Sequence, residues 1–186
     1  MKENWFTTIN DTTAEIKHAF GTLSEAALNW KPNAETWSIA QNLDHLMTID
    51  TSYYPIIKAV ESNSLKLPFQ SRIGFIVKGF GKMLLRSVQP DRSHKSKTFP
   101  IWEPSTSDIP GSVVLDFEFH QKDLKQLIDR CEPLLENGAI IHSPANKNIV
   151  YKLSDAFEII VTHQQRHLAQ AKEVLAALPE DLKPEE

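Results

Sequence analysis

The chain has 186 residues, a net charge of −4, 41% hydrophobic and 24% charged residues, and one cysteine, Cys131. That is the composition of a globular protein long enough to bury its own core. It carries no global positive field for nucleic acid and no apolar run long enough for stable membrane insertion. The N-terminus, MKENWFTTIN, lacks the apolar core of a secretory signal, and a lone cysteine cannot close an intramolecular disulfide. Both features lead us to expect a cytoplasmic location.

The apolar period is helical along most of the chain. Trp5, Phe6, Ile9, Ile16, Phe20 and Leu23 mark a first helix over about 3–23, after which Pro32 ends regular structure. A second helix is expected over 38–62. It starts at a capping box, Ser38-Ile-Ala-Gln41, in which each side chain can bond the other residue's backbone. Its stripe runs through Ile39, Leu43, Leu46, Ile49, Tyr53, Ile56, Ile57 and Val60.

Residues 64–111 break the pattern, with prolines at 68, 90, 100, 104 and 110. Within them only 72–88 reads as helix, and its three glycines weaken it. Lys78, Lys82 and Arg86 form an i, i+4, i+8 stripe opposite Phe75, Ile76, Phe80, Met83 and Leu84. Such a basic amphipathic segment suits a bundle-end cap or a dimer contact, or else an anionic membrane surface or an acidic ligand.

A third helix is expected over 112–136, with Val113, Phe117, Leu124, Leu127, Ile128, Cys131 and Leu135 on its core face. That setting makes Cys131 a buried, inert thiol. A fourth helix is expected over 154–178, with Phe157, Ile160, His167, Ala171, Val174 and Leu178 inward. The fold class is therefore all-α, a four-helix bundle in one domain over 1–178, with a frayed, charged tail over 179–186. The long link between the second and third helices lets those two run parallel.

The fourth helix holds His163 and His167 in VTHQQRHLAQ, one turn apart on one face. The second helix holds His45 at the edge of its apolar stripe. Three imidazoles from two helices make the ligand pattern of an open metal site; the same residues also suit hydrogen-bonded core histidines. His120 lies in the core stripe of the third helix, where a fourth ligand, a partner of a ligand, a general base and a core histidine are all open readings. Asp50 can orient an imidazole or join an interhelical ion pair, and Trp30 and Trp37 flank the start of the second helix. His18, His94 and His142 fall on polar faces or in loops, and no role is assigned to them.

ETWSIAQNLDHL resembles the Trp-Ser-x6-His-Leu signature of the DinB-like (DinB/YfiT) metalloenzymes, and THQQRHLAQ resembles their closing His-x-x-x-His-Leu-x-Gln. The resemblance covers essentially the whole chain except 64–111, which matches no motif. It implies a four-helix bundle, often a homodimer, that binds a divalent ion through three histidines, here His45, His163 and His167. Zn and Ni are the first candidates, with Fe open. It also implies an enzyme acting on a small molecule through a metal-activated thiol or water, of thiol S-transferase or hydrolase type, with a low-molecular-weight thiol as the cosubstrate. A non-catalytic, stress-response bundle with a structural metal is the alternative.

Overall fold

The computed structural model describes residues 1–91, 98–105 and 108–183; His94 lies outside them. In chain order the elements are α1 (Lys2–Phe20), α2 (Glu25–Asn29), α3 (Ile39–Ser52), α4 (Tyr54–Glu61) and α5 (Gly74–Ser87). Then come α6 (Val113–Arg130), α7 (Glu132–Glu136), a hairpin of β1 (Ile140–His142) and β2 (Val150–Lys152), and α8 (Leu153–Ala176). The expected four-helix bundle is present: α1, α6, α3 and α8 form a ring in which each packs on the next.

Two expected helices are each broken once, and a proline accounts for each break. Pro55 has no N–H for the Thr51 carbonyl and its ring crowds that carbonyl, so the chain turns at Tyr53 and restarts as α4. Pro133 does the same to the Asp129 carbonyl, separating α7 from α6 at Cys131. The first helix stops at Phe20, short of Leu23. Ser24 then caps the brief α2, its hydroxyl accepting from the Ala27 N–H at 3.2 Å. The Ser38 capping box forms as expected: Ser38 Oγ accepts from Gln41 N at 3.1 Å, and Gln41 Oε1 accepts from Ser38 N at 3.2 Å.

The stretch expected to be an irregular break before the fourth helix instead contains the antiparallel pairs Ile140–Lys152, Ile141–Tyr151 and His142–Val150. The hairpin is entered at Gly138, whose φ of +64° few other residues adopt. Ile141, Val150 and Tyr151 are fully buried. The hairpin carries α5, which packs on β2 and α8. That approach needs Gly81, since a Cβ there would collide with the Asp155 carboxylate.

The core divides into two apolar clusters. One joins Trp5, Ile9, Ile49, Leu124, Ile128 and Phe157; the other joins Ile16, Phe20, Leu43, Val113, Phe117 and Leu168. The N-terminal ends of α3 and α6 share one cluster and their C-terminal ends share the other. These helices therefore run parallel, as the long connection predicts, with α1 and α8 antiparallel to them. Between the clusters the helices turn polar: Thr12 on α1, Gln121 on α6 and Gln164 on α8 are all buried.

The connection between α5 and α6 runs back along α3. Trp102 Nε1 donates to Ser52 Oγ at 3.1 Å, Gln41 Nε2 to the Ser105 carbonyl at 2.9 Å, and Ser105 N to Asp44 at 3.1 Å. Farther on, Asn29 and Ile109 exchange two bonds, of 2.8 and 2.9 Å.

Candidate metal centre

α3 and α8 cross in contact, and each offers one turn of polar residues at the crossing: Asn42 and His45 from α3, His163 and His167 from α8. The three imidazoles meet there. Ring centroids are 4.7 Å apart for His45 and His167, 5.3 Å for His45 and His163, and 4.4 Å for His163 and His167. One ligand atom from each ring lies within 4.8 Å of the other two. His163 Nε2 and His167 Nε2 are 3.0 Å apart, close to the roughly 3.3 Å between two nitrogens bound tetrahedrally to one zinc.

The tautomers follow from the partners. His45 Nδ1 lies 2.5 Å from the Trp102 carbonyl, which can only accept, so Nδ1 carries the proton and Nε2 a bare lone pair. Asn42 Nδ2 donates to the Ser38 carbonyl at 2.8 Å, which turns Asn42 Oδ1 to accept from His167 Nδ1 at 2.7 Å. His167 Nε2 is therefore bare as well. Burial pushes His45 down to about 4 and His163 down to about 3, the latter helped by the neighbouring His45 and Arg166. Both are neutral at pH 7. Unprotonated Nε2 of His45 and of His167 and a ring nitrogen of His163 thus face one another, an arrangement that a shared cation or proton satisfies, so the residues fit an ion.

Trp37 packs against the cluster. Its ring stacks on His167, 5.7 Å away at 19°, and tilts over His45 at 4.6 Å. Beside the cluster lies a cavity of about 720 Å³, lined by all three histidines, Trp37 itself, Tyr53, Trp102, Tyr151 and Arg166. The Tyr53 and Tyr151 hydroxyls are 2.9 Å apart. Burial pushes Tyr151 up to about 12 and Tyr53 well above its ordinary value, so both stay neutral donors. The C-terminal end of α5 also lines the cavity, through Leu84, Ser87 and the following Val88. Arg166 Nη1 holds that end by donating to the Ser87 and Gln89 carbonyls at 3.0 and 3.2 Å.

His120 is not grouped with the triad. Its Nε2 lies 3.4 Å from Asp50 Oδ2, and neither residue lines the cavity. Asp50, only 1% exposed, pairs with His120 and accepts from Gln164 Nε2 at 3.1 Å rather than orienting one of the three imidazoles; burial raises its pKa. His142 is buried beside the Ser143 carbonyl, and His18 is exposed. Trp30 is half-buried against the cluster around Phe20.

The sequence reading missed Asn42, the Trp102 carbonyl, the tyrosine pair, and the acids Glu35, Asp91 and Glu173 that also line the cavity. Asn42 had a signal: it lies one turn before His45, on the same helix face.

Among curated proteins, the chain is 27% identical over 170 residues to the uncharacterized protein YuaE of Bacillus subtilis (strain 168), a match covering 89% of this chain and 93% of that protein. No solved structure gives a significant match. The sequence profile of the DinB superfamily matches residues 8–171, a span that takes in the Ser38 cap, His45 and both histidines of α8, and the chain belongs to that superfamily.

Proposed function

We propose that the protein binds one divalent metal ion, Zn or Ni first and Fe next, through His45, His163 and His167, and acts as a metal-dependent enzyme on a small molecule. The observation that carries this reading is the set of three imidazoles turned toward one another beside a cavity. Among the described residues no carboxylate or thiolate joins the group as a fourth ligand, which argues against a closed, structural site.

When bound, such an ion supplies Lewis-acid activation of a water or of a low-molecular-weight thiol, which supports a hydrolase or thiol S-transferase. The chain does the rest. Asn42 and the Trp102 carbonyl keep the Nδ1 protons in place and so present Nε2. Trp37 packs on the rings of His45 and His167. Tyr53 and Tyr151 offer neutral hydroxyls to a substrate in the cavity. Cys131 takes no part: it is fully buried, and burial pushes its thiol up to about 11.

The test is metal analysis of purified protein, reloading of chelated protein with Zn, Ni or Fe, and assay of small electrophiles with and without thiol. One ion per chain, lost in His163→Ala, and turnover that needs the ion are expected. Turnover only with thiol selects S-transfer, and turnover without it selects hydrolysis. A bound ion without turnover selects the non-catalytic bundle. Equal metal content in wild type and His163→Ala rejects the triad.

A further inference from the structure

Of the nine large hydrophobic side chains exposed among the described residues, six lie between 67 and 101. Apolar exposure is thus concentrated in the connection that carries α5. Phe69 and Phe75 are the extremes there, 72% and 79% exposed, with Met83 at 49%. Cations share this surface. Arg72, Lys78, Lys82 and Arg86 are all exposed, and none has an ion-pair partner among the described residues. Over 67–91 the sole acid is Asp91.

At about 100° per residue, Phe75, Lys78, Lys82, Met83 and Arg86 fall within a sector of about 140° on α5, so that Phe75 and Met83 lie beside the basic stripe and not opposite it, as the sequence reading had them. The opposite side is committed: Val77 is buried, and Gly81 meets Asp155. The helix is therefore mounted by its inner face on α8 and the hairpin, and among the described residues no ion pair engages the cations of the outer one.

We propose that this outer face of α5 docks on an anionic lipid bilayer, with Phe75 and Met83 entering the headgroup boundary and the basic residues meeting lipid phosphates. The chemistry is that of interfacial helices, in which basic residues flank aromatic and aliphatic ones. Lysine and arginine stems lie along the apolar boundary while their heads stay in the polar layer. A second copy of the chain is a poor occupant. A twofold contact sets a face against itself, so the three cations of this face would meet three more, and no acid of α5 would separate them. The net charge of −4 does not oppose docking at physiological salt, where charges farther than about 8 Å are screened. Docking would hold the cavity, which Leu84 and Ser87 line from the same helix, close to the membrane surface.

The test is cosedimentation of the purified full chain with vesicles of phosphatidylcholine, with and without a third of phosphatidylglycerol. The chain should pellet with the anionic vesicles alone, and high salt should release it. Each basic residue near an anionic surface is worth about fivefold in partitioning, so K78Q/K82Q should weaken binding by about 25-fold. F75S should weaken it while leaving the salt dependence in place. Both variants change exposed positions, and circular dichroism should show unaltered helix content. The proposal is overturned if the wild type does not pellet, pellets equally with neutral vesicles, or pellets as well after K78Q/K82Q. It is also overturned if it binds a DNA duplex in preference to vesicles, or if light scattering shows a dimer that F75S splits.

Discussion

Asn42→Leu separates a positioned imidazole from one that merely stands nearby. Asn42 is 1% exposed and makes two bonds, donating to the Ser38 carbonyl at 2.8 Å and accepting from His167 Nδ1 at 2.7 Å. Leucine fills similar volume and offers no acceptor. The ring of His167 then has two choices: it keeps its proton on Nδ1 without a partner, or moves it to Nε2, where it blocks the lone pair aimed at His163. Binding an ion forces the first choice, and a buried donor without a partner costs about 1–3 kcal/mol. That is a factor of about 5 to 150 in affinity, in line with the tenfold to hundredfold lost when partners of metal-bound histidines are removed.

The assay is competition for Zn²⁺ against a chromogenic chelator at pH 7.5. Asn42→Leu should bind about ten to a hundred times more weakly than wild type, whereas Asn42→Asp, which still accepts from Nδ1–H, should stay close to it. A dissociation constant for Asn42→Leu within about twofold of wild type would show that the hydrogen bond does not set the ligand's tautomer, and the reasoning fails.

Three further outcomes are expected. His45 and His163 have native pKa values of about 4 and about 3, below the ordinary 6.5. Their contribution to stability is therefore full above 6.5 and is lost as pH falls through it, by about 2 kcal/mol each at pH 5; urea unfolding of metal-free protein at pH 7 and 5 should show the drop, and equal midpoints would refute it. Gln121 is 1% exposed and neither its Nε2 nor its Oε1 has a partner among the described residues, so Gln121→Leu should stabilise the protein by about 1 kcal/mol, and a lower melting temperature would contradict this. Cys131, fully buried with a thiol pushed up to about 11, should react with a disulfide reagent only on unfolding; prompt labelling of the native chain would count against that burial.

The bundle and the three imidazoles were legible because both are written in spacing. A stripe at i, i+3 and i+4 states which face goes inward, and histidines one turn apart share whatever that face meets. What stayed hidden depends on pairings that no spacing states. The breaks at Tyr53 and Cys131 follow from Pro55 and Pro133, which the apolar stripe reads straight through, because the hydrophobic period survives a local kink. The hairpin was missed because its paired runs, Ile140–His142 and Val150–Lys152, are too short to show alternation. Asp50 sits near the core edge in sequence terms, yet its partner is His120 on α6, 70 residues on.

The long connection shows why a segment without a motif can still be part of a site. Its role at the candidate metal centre is carried by a backbone carbonyl, and every residue has one, so no letter of the sequence marks it. Trp102 places that carbonyl against His45 because its indole is tied to Ser52, while Ser105, three residues on, is tied to Gln41 and Asp44. Gln41 thereby does two jobs, closing the cap of α3 and anchoring the strap that lies along it. Loosening the strap at Gln41 should disturb the imidazole one turn farther along the helix. Gln41→Ala should therefore weaken Zn²⁺ binding beyond what the lost cap costs in stability. Ser38→Ala removes the cap hydroxyl but leaves the Gln41–Ser105 bond, and so separates the two effects. If both variants destabilise the fold alike and neither changes Zn²⁺ affinity, the strap does not hold the Trp102 carbonyl in place.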